Sequence, residues 1–169
     1  MQHSTALRKM GRLGACLAFA SSILVFAGPA AASAHEGYPA YPAYYDWDGE
    51  FLVELDGDEL RDGGDRYGRG VAGLDFDPER QRVCYFINWE RLDGAVTAFH
   101  LYRAPRREDG PHWIDLFDDK YFDGDRNTVA SCVYASRRDI FAVLDRPSEF
   151  YLNLHTTAHR HGALRGQLN

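Results

Sequence analysis

The end of the chain constrains its fold more than any other stretch. Residues 150–155 and 162–168 form two extended runs, and the polar corner between them holds His159 and His161. Two runs rich in strand-forming residues around a short, glycine-containing corner are typical of a β-hairpin. The sequence therefore predicts a closing hairpin that carries three of the chain's seven histidines, with His155 at the end of its first strand.

The rest of the chain predicts further strands of the same kind. Runs in which apolar and polar side chains alternate indicate half-buried β-strands, since successive residues of a strand face opposite sides. Ser136 followed by Asp139 matches a helix-capping pattern, and Pro147 limits the helix that follows. About eight short strands and one short helix are typical of an antiparallel β-sandwich or barrel. The other predicted strands are residues 50–55, 70–76, 82–89, 95–103, 112–117 and 128–134.

The first 34 residues differ from the rest in composition. Three basic residues precede an apolar run over residues 13–27, and small residues at positions 32–34 match a signal-peptidase site. This pattern is typical of a secretory signal peptide, and the run is shorter than the roughly 20 residues that a membrane span requires. We therefore predict a signal peptide at residues 1–34, a secreted or periplasmic protein, and no stable membrane insertion after cleavage.

The predicted mature chain is acidic and divides into a tail and one domain. The chain has 19 basic and 25 acidic residues, and three of the basic ones lie in the leader, which leaves nine more acidic than basic residues. That charge argues against nucleic acid and anionic lipid as partners, because both are negatively charged. Residues 35–49 are rich in tyrosine and proline and predict an extended tail. Residues 50–169 are long enough for one domain with a hydrophobic core.

Cys84 and Cys132 are the two cysteines of the predicted mature chain. Both lie inside predicted strands, and an exported protein reaches compartments in which disulfides persist. We therefore predict a disulfide between Cys84 and Cys132, with two buried free thiols as the alternative.

The histidines supply the sharpest candidate for a site. Strand alternation places His100 and Tyr102 on one face of a strand, and His155 on the face of the last hairpin that also carries Tyr151 and Asn153. Neutral imidazoles bind copper and zinc. Two interpretations stay open: a copper or zinc site, or half-buried histidines that form hydrogen bonds with neighbouring groups. The candidate histidines are His100, His155, His159 and His161.

Two acidic segments, residues 56–65 and 118–125, offer carboxylates of the kind that calcium binds. Neither fits the spacing of a calcium-binding loop, so we interpret both as solvated acidic loops. The sequence also has no G-x-S-x-G motif and no phosphate-binding glycine loop. We therefore predict no catalytic residue and no enzymatic activity.

The C-terminal hairpin and the strand at residues 95–103 resemble the CHRD domain, the module named after chordin. In that family a Tyr-Asx-His-Thr strand precedes a Gly-x-x-Arg-Gly-Gln strand, and the resemblance covers roughly residues 51–168. The family's central strand usually carries a His-x-His pair, for which this chain has His100 and Tyr102, so one histidine is missing. The residues that carry the hairpin motif are Tyr151, Asn153, His155, Thr156, Arg165, Gly166 and Gln167.

The resemblance implies a secreted, bacterial-type domain whose sandwich is related to immunoglobulin-like or copper/zinc dismutase-like folds and which has no established activity. From the residues themselves we expect Arg165 to be structural, with its planar guanidinium bonded to a carboxylate or to carbonyls at strand ends. Gly166 is expected to permit a bulge or a close contact. The expected function is a non-enzymatic binding or structural module for an unknown protein or envelope ligand, without a cofactor. The alternative is a histidine-ligated copper or zinc protein with dismutase-like redox activity.

Overall fold

A computed structural model describes residues 50–169, which contain eight antiparallel β-strands and one α-helix. The predicted signal peptide at residues 1–34 and the predicted tail at residues 35–49 lie outside the described residues. Within residues 50–169, no helix has both the length and the apolar character that a membrane crossing needs. The elements are β1 Phe51–Asp56, β2 Arg69–Asp77, β3 Arg82–Glu90, β4 Val96–Arg103, β5 His112–Phe117, β6 Arg126–Tyr134, α1 Arg137–Asp145, β7 Phe150–Thr156 and β8 Leu164–Gln167.

The predicted all-β architecture is confirmed, and the strand ends differ from the sequence prediction by two residues at most. β6 begins two residues earlier than predicted, because Arg126 still pairs with Glu90 at the end of β3. β8 begins two residues later than predicted. Gly162 instead belongs to the turn: its φ of +134° is a conformation that suits glycine, and its N–H donates to the carbonyl of His159 (3.2 Å).

The strands form one antiparallel sheet in the order β5-β4-β7-β8-β1-β2-β3-β6. Although β3 is far from β4 and β5 in that order, Tyr85 of β3 packs against Phe99 of β4 and Phe117 of β5, with ring centroids 6.0 and 6.5 Å apart. The Tyr85 hydroxyl also donates to the carbonyl of Leu116 in β5 (2.9 Å). The sheet therefore folds back on itself around one core, which is the sandwich-like architecture that the sequence predicts.

The helix α1 packs against this core. The Ser136 hydroxyl accepts a hydrogen bond from the Asp139 N–H (3.1 Å), as the capping pattern predicts. Ile140 and Val143 are fully buried, because residues three apart lie on one face of a helix. Leu144, four residues after Ile140 on the same side of the helix, is only partly buried against the core.

A disulfide between Cys84 and Cys132 joins β3 to β6, so this prediction is confirmed and the alternative of two free thiols is wrong. The two cysteines lie directly opposite each other in the register of these strands. Cys132 is exposed and Cys84 is half-buried, so the bond lies on the outer side of the sheet and not in the core. The cysteines are 48 residues apart in sequence, and closing a loop of this length in the unfolded chain favours the folded state by roughly 4 kcal/mol.

Candidate functional site

The outer face of β4 and β7 brings His100 and His155 together. In the register of this strand pair Ala98 lies opposite His155, and His100 lies opposite Asn153. Directly opposite residues of an antiparallel pair project to the same side, so the two histidines share one face. Their ring centroids are 5.3 Å apart, and both residues are largely buried, with exposures of 9% for His100 and 8% for His155. Strand pairing therefore brings together two histidines that are 55 residues apart in the sequence.

Tyr102 links the two imidazoles. Its hydroxyl oxygen lies 3.4 Å from Nδ1 of His100 and 3.3 Å from Nε2 of His155. On the other side of the His155 ring, Nδ1 lies 3.0 Å from the carbonyl oxygen of Arg160. Tyr102 stands where the resemblance expects a second histidine, and it joins the two histidines by hydrogen bonds instead of adding an imidazole.

The Arg160 carbonyl sets the direction of this chain of hydrogen bonds. A carbonyl only accepts, so Nδ1 of His155 carries the ring proton and Nε2 accepts from the Tyr102 hydroxyl. The Tyr102 oxygen then accepts from the Nδ1–H of His100. A neutral imidazole has one ring proton, so Nε2 of His100 is left with a lone pair and no hydrogen. This nitrogen is buried and has no hydrogen-bond partner among residues 50–169.

β5 adds His112 and Asp115 to the same face. Residues three apart on a regular strand point to opposite sides, so strand alternation alone would separate them. Here Tyr102 lies opposite His112, and His100 lies opposite Asp115. Two residues separate His112 from Asp115 on β5, whereas one residue separates their partners on β4. The extra residue, Trp113, makes a β-bulge that turns both side chains toward His100. Alternation in the sequence gives no signal for this bulge, and the sequence prediction therefore omitted both residues.

Contacts of Trp113 fix the position of the bulge. Its indole ring packs at a steep angle against Phe150, with ring centroids 5.4 Å apart, and the Arg103 guanidinium lies over the indole at 5.5 Å. Its indole N–H donates to the Asp139 carbonyl in α1 (3.2 Å). The helix and β7 therefore hold the segment of β5 that presents His112.

His100, His112 and Asp115 form a group of potential metal ligands, with one ligand atom of each residue within 4.8 Å of the others. One Asp115 carboxylate oxygen lies 3.4 Å from Nε2 of His100 and 3.0 Å from Nε2 of His112. A carboxylate oxygen of Asp118 lies 3.9 Å from the same His100 nitrogen. The side chains of Asp115 and Asp118 are 65% and 60% exposed. The group therefore has a buried side at His100 and an open side toward solvent.

Burial controls the protonation of the histidines on this face. Desolvation, together with the neighbouring His155 and His112, lowers the pKa of His100 to about 4, although two nearby carboxylates oppose the shift. Burial likewise lowers the pKa of His155, against the effect of its backbone hydrogen bond. Burial raises the pKa of Tyr102. At neutral pH His100 and His155 are therefore uncharged and the Tyr102 phenol keeps its proton.

His159 and His161 do not join the group of ligand atoms around His100. Their turn contributes backbone atoms instead: the N–H of His159 donates to the Thr156 hydroxyl (3.0 Å), and the His161 carbonyl accepts from the side-chain amide of Asn153 (3.3 Å). The His161 side chain is exposed. The closing turn therefore shapes the site through its backbone, and the four predicted histidines do not form one cluster.

A polar recess lies beside the histidines. It has a volume of about 360 Å³, and the strands contribute Tyr102, Tyr151, Asn153 and His155 to its wall. The side-chain oxygen of Asn153 is buried and has no hydrogen-bond partner in the described part of the chain. A Cβ atom on Gly162 would lie 2.5 Å from this oxygen, so glycine permits the close approach of the turn to Asn153. The remaining wall is formed by Leu60, Arg61, Asp62, Gly63, Asp109, Gly110, Arg160, His161 and Gly162.

Arg165 lies in the same row of the sheet as His100, since both pair with one residue of β7. Arg165 is fully buried, and its guanidinium lies 3.6 Å from the centroid of the Tyr151 ring. It donates to the carbonyls of Glu108 (2.8 Å) and Pro105 (2.9 Å). These bonds attach the loop between β4 and β5 to the sheet.

Gln167 and Gly166 extend this structural arrangement. The Gln167 side-chain oxygen accepts from Arg165 (3.0 Å), and its amide group donates to the Phe150 carbonyl (2.8 Å). A Cβ atom on Gly166 would lie 2.4 Å from the carbonyl oxygen of Glu54, so glycine permits the close approach of β8 to β1. The second strand of the hairpin motif therefore holds the sheet and the loop together.

Asp65 corrects the interpretation of residues 56–65 as a wholly solvated loop. It is 4% exposed, and its carboxylate accepts from the N–H groups of Tyr67 (3.0 Å), Gly68 (3.0 Å) and Asp93 (2.6 Å). Burial raises the pKa of Asp65, but these hydrogen bonds outweigh burial and the net shift is downward. The carboxylate therefore joins the loops that follow β1 and β3, because backbone amides occupy its oxygens.

Comparison with known proteins identifies one family. The family model described as the CHRD domain matches residues 51–168, which is well over half of the chain. No curated protein and no solved structure matches the chain. The histidine face, the recess and Arg165 all lie within the matched residues.

Proposed function

Because the chain belongs to the CHRD domain family, we propose that it is an exported, non-enzymatic binding module that recognises a polar ligand of the cell envelope or the extracellular space. The family and the disulfide between Cys84 and Cys132 support an extracellular-type domain, since disulfides persist in oxidising compartments. The predicted signal peptide at residues 1–34 supports a secreted or periplasmic location.

The recess beside Asn153 carries this proposal. Its volume of about 360 Å³ falls within the roughly 300–1,000 Å³ of small-ligand sites. The tyrosine rings of Tyr102 and Tyr151 are stacked, with centroids 5.2 Å apart, and offer an aromatic surface next to the unpartnered Asn153 oxygen. Small-ligand sites combine such aromatic surface with a few polar groups that orient the ligand, and Asp62 and Asp109 in the same wall supply these.

The hydrogen bonds of His155 favour binding over catalysis in this recess. Its Nδ1–H donates to the Arg160 carbonyl, and its Nε2 accepts from the Tyr102 hydroxyl. A general base needs a free ring nitrogen within reach of the proton that it removes. Because both ring nitrogens of His155 are engaged, we expect the recess to hold its ligand without chemical change.

Two tryptophan substitutions test the recess. Asp62 and Asp93 are both exposed loop aspartates, but only Asp62 is part of the recess wall. We expect the full chain to bind isolated cell envelopes of the producing organism in a saturable manner. The Asp62→Trp variant should bind about 10-fold more weakly or worse, equivalent to roughly 1.4 kcal/mol, because the indole obstructs the recess.

The Asp93→Trp variant is the control, and it should bind as the unmodified chain does. The measurement is a sedimentation binding curve at increasing protein concentration, with the folded state of each variant checked by circular dichroism. Equal binding by the two variants, or binding that does not saturate, would contradict the proposed role of the recess.

A further inference from the structure

We infer that His100, His112 and Asp115 form a binding site for a divalent first-row transition-metal ion of the zinc type. The site lies on β4 and the edge strand β5, and its ligands are not part of the recess wall. The inference therefore does not depend on the proposed role of the recess.

The spacing of the three ligand atoms fits a single ion. Nitrogen and oxygen ligands bind zinc at roughly 2.0–2.1 Å, which places neighbouring ligands of a tetrahedral ion roughly 3.3 Å apart. The Asp115 oxygen lies 3.4 Å from the His100 nitrogen and 3.0 Å from the His112 nitrogen. All three atoms lie within 4.8 Å of one another, so small side-chain rotations suffice to close the site around an ion.

The proton arrangement at His100 gives a second, independent reason. Its Nδ1–H is used by the Tyr102 hydroxyl, so Nε2 presents only a lone pair toward the carboxylate oxygen of Asp115. Two lone pairs at this separation do not attract each other. The nitrogen is buried and has no partner among the described residues, which is costly for a polar atom. A cation between His100 and Asp115 would satisfy both atoms.

The surroundings of His100 match those of a metal-ligating histidine. Such histidines donate their second ring N–H to an acceptor, which fixes the tautomer and the orientation of the ring. Here the acceptor is Tyr102, which is held in turn by His155 and the Arg160 carbonyl. His155 is therefore a positioning residue in this site, in contrast to the predicted role of a ligand.

The ligand types select the class of ion. Two imidazoles and one carboxylate suit zinc and neighbouring transition metals better than calcium or magnesium, which prefer oxygen ligands. The exposed Asp118 carboxylate, 3.9 Å from the His100 nitrogen, can supply a fourth ligand directly or through water. The open side at β5 lets the ion enter from solvent.

Zinc binding to the full chain tests this site. The chain is purified without an affinity tag, treated with EDTA, dialysed, and titrated with zinc chloride in a calorimeter, with metal analysis of the dialysed product. We expect one zinc ion per chain. Substitution of His112 is informative because its side chain is 41% exposed on an edge strand, so its loss should not affect folding.

The His112→Ala variant should lose zinc affinity by more than the roughly 100-fold that removal of an outer hydrogen-bonding partner can cost. Asp115→Asn should lower the affinity as well, because an amide is a weaker ligand than a carboxylate. His161→Ala is the matched control: it removes an exposed histidine outside the group and should leave zinc affinity unchanged. Unchanged thermal unfolding of the metal-free variants would show that these substitutions act on the ion.

Cobalt supplies an independent readout. Co²⁺ in place of zinc should give visible absorption bands that disappear in the His112→Ala variant and persist in the His161→Ala variant. The inference is overturned if the chain takes up less than a stoichiometric amount of zinc, if His112→Ala retains the wild-type affinity, or if His161→Ala loses affinity to the same extent.

Discussion

His100 and Arg165 are both buried polar residues in one row of the sheet, but their surroundings are opposite in kind. The Arg165 guanidinium is covered by the loop between β4 and β5, donates to two of its carbonyls, and only its Nε–H lacks a partner in the described residues. His100 faces the sheet edge, where its Nε2 meets a carboxylate that cannot donate a hydrogen bond. A buried polar group with partners in the protein stabilises the fold, whereas one without them is available to an ion or ligand.

The largest expected effect is loss of stability in an Arg165→Met variant. Methionine fills much of the space but leaves the carbonyls of Pro105 and Glu108 without their donors, so we expect a loss of about 3 kcal/mol or more in the free energy of unfolding. Urea unfolding monitored by tryptophan fluorescence measures this loss. The control is Arg61→Met, which changes an exposed arginine and should cost less than about 0.5 kcal/mol. If both variants lost similarly little stability, the hydrogen bonds of Arg165 would not stabilise the fold, and the contrast with His100 would disappear.

The second expected effect is a dependence of stability on pH that originates at His100. The pKa of His100 is about 4 in the folded protein against an ordinary value of 6.5, so the unfolded chain takes up this proton first as the pH falls. The stabilisation that neutral His100 gives the folded protein is fully present above pH 6.5 and is lost as the pH falls through 4. The free energy of unfolding therefore decreases by up to about 3 kcal/mol. His155, whose pKa is also lowered, changes stability in the same direction.

A His100→Leu variant isolates this contribution in metal-free protein. Leucine cannot bind a proton, so between pH 7 and pH 4 the wild-type chain should lose more stability than the variant, while at pH 7 the two should differ little. The groups that act on His100 are His155, His112, Asp115 and Asp118, and all four remain in the variant. Urea unfolding in EDTA at pH 7, 5.5 and 4 provides the comparison. Parallel curves for the two chains would mean that the histidine is not held neutral by burial.

The fold was predictable because its signals are local. The alternating run at residues 50–55 reports which side of its strand is buried, and the Ser136 cap and Pro147 delimit the helix. The disulfide between Cys84 and Cys132 followed from the few cysteines and the predicted export. Each of these features depends on residues close in sequence or on composition, so it can be recognised from a single sequence.

The candidate site was predictable only in part because its geometry is non-local. His100 and His155 were both candidates, but their convergence depends on the pairing of β4 with β7. His112 and Asp115 were omitted, because the bulge at Trp113 reverses the face that strand alternation assigns. His159 and His161 were included on proximity in sequence, although their turn contributes backbone atoms.

The smallest expected effect concerns Tyr102, which connects the two histidines by hydrogen bonds alone. A Tyr102→Phe variant keeps the ring and removes the hydroxyl that accepts from Nδ1 of His100. His100 is then free to carry its proton on Nε2, where it can donate to Asp115 and compete with a metal ion. We expect zinc affinity to fall by about 10-fold, with a change in metal-free stability of about 1 kcal/mol or less. Tyr67→Phe is the control, since Tyr67 is 71% exposed, and it should leave zinc affinity unchanged. If Tyr102→Phe also leaves zinc affinity unchanged, this chain of hydrogen bonds does not set the tautomer of His100. The contrast between the unpartnered His100 nitrogen and the bonded Arg165 guanidinium is then weaker than the contacts indicate.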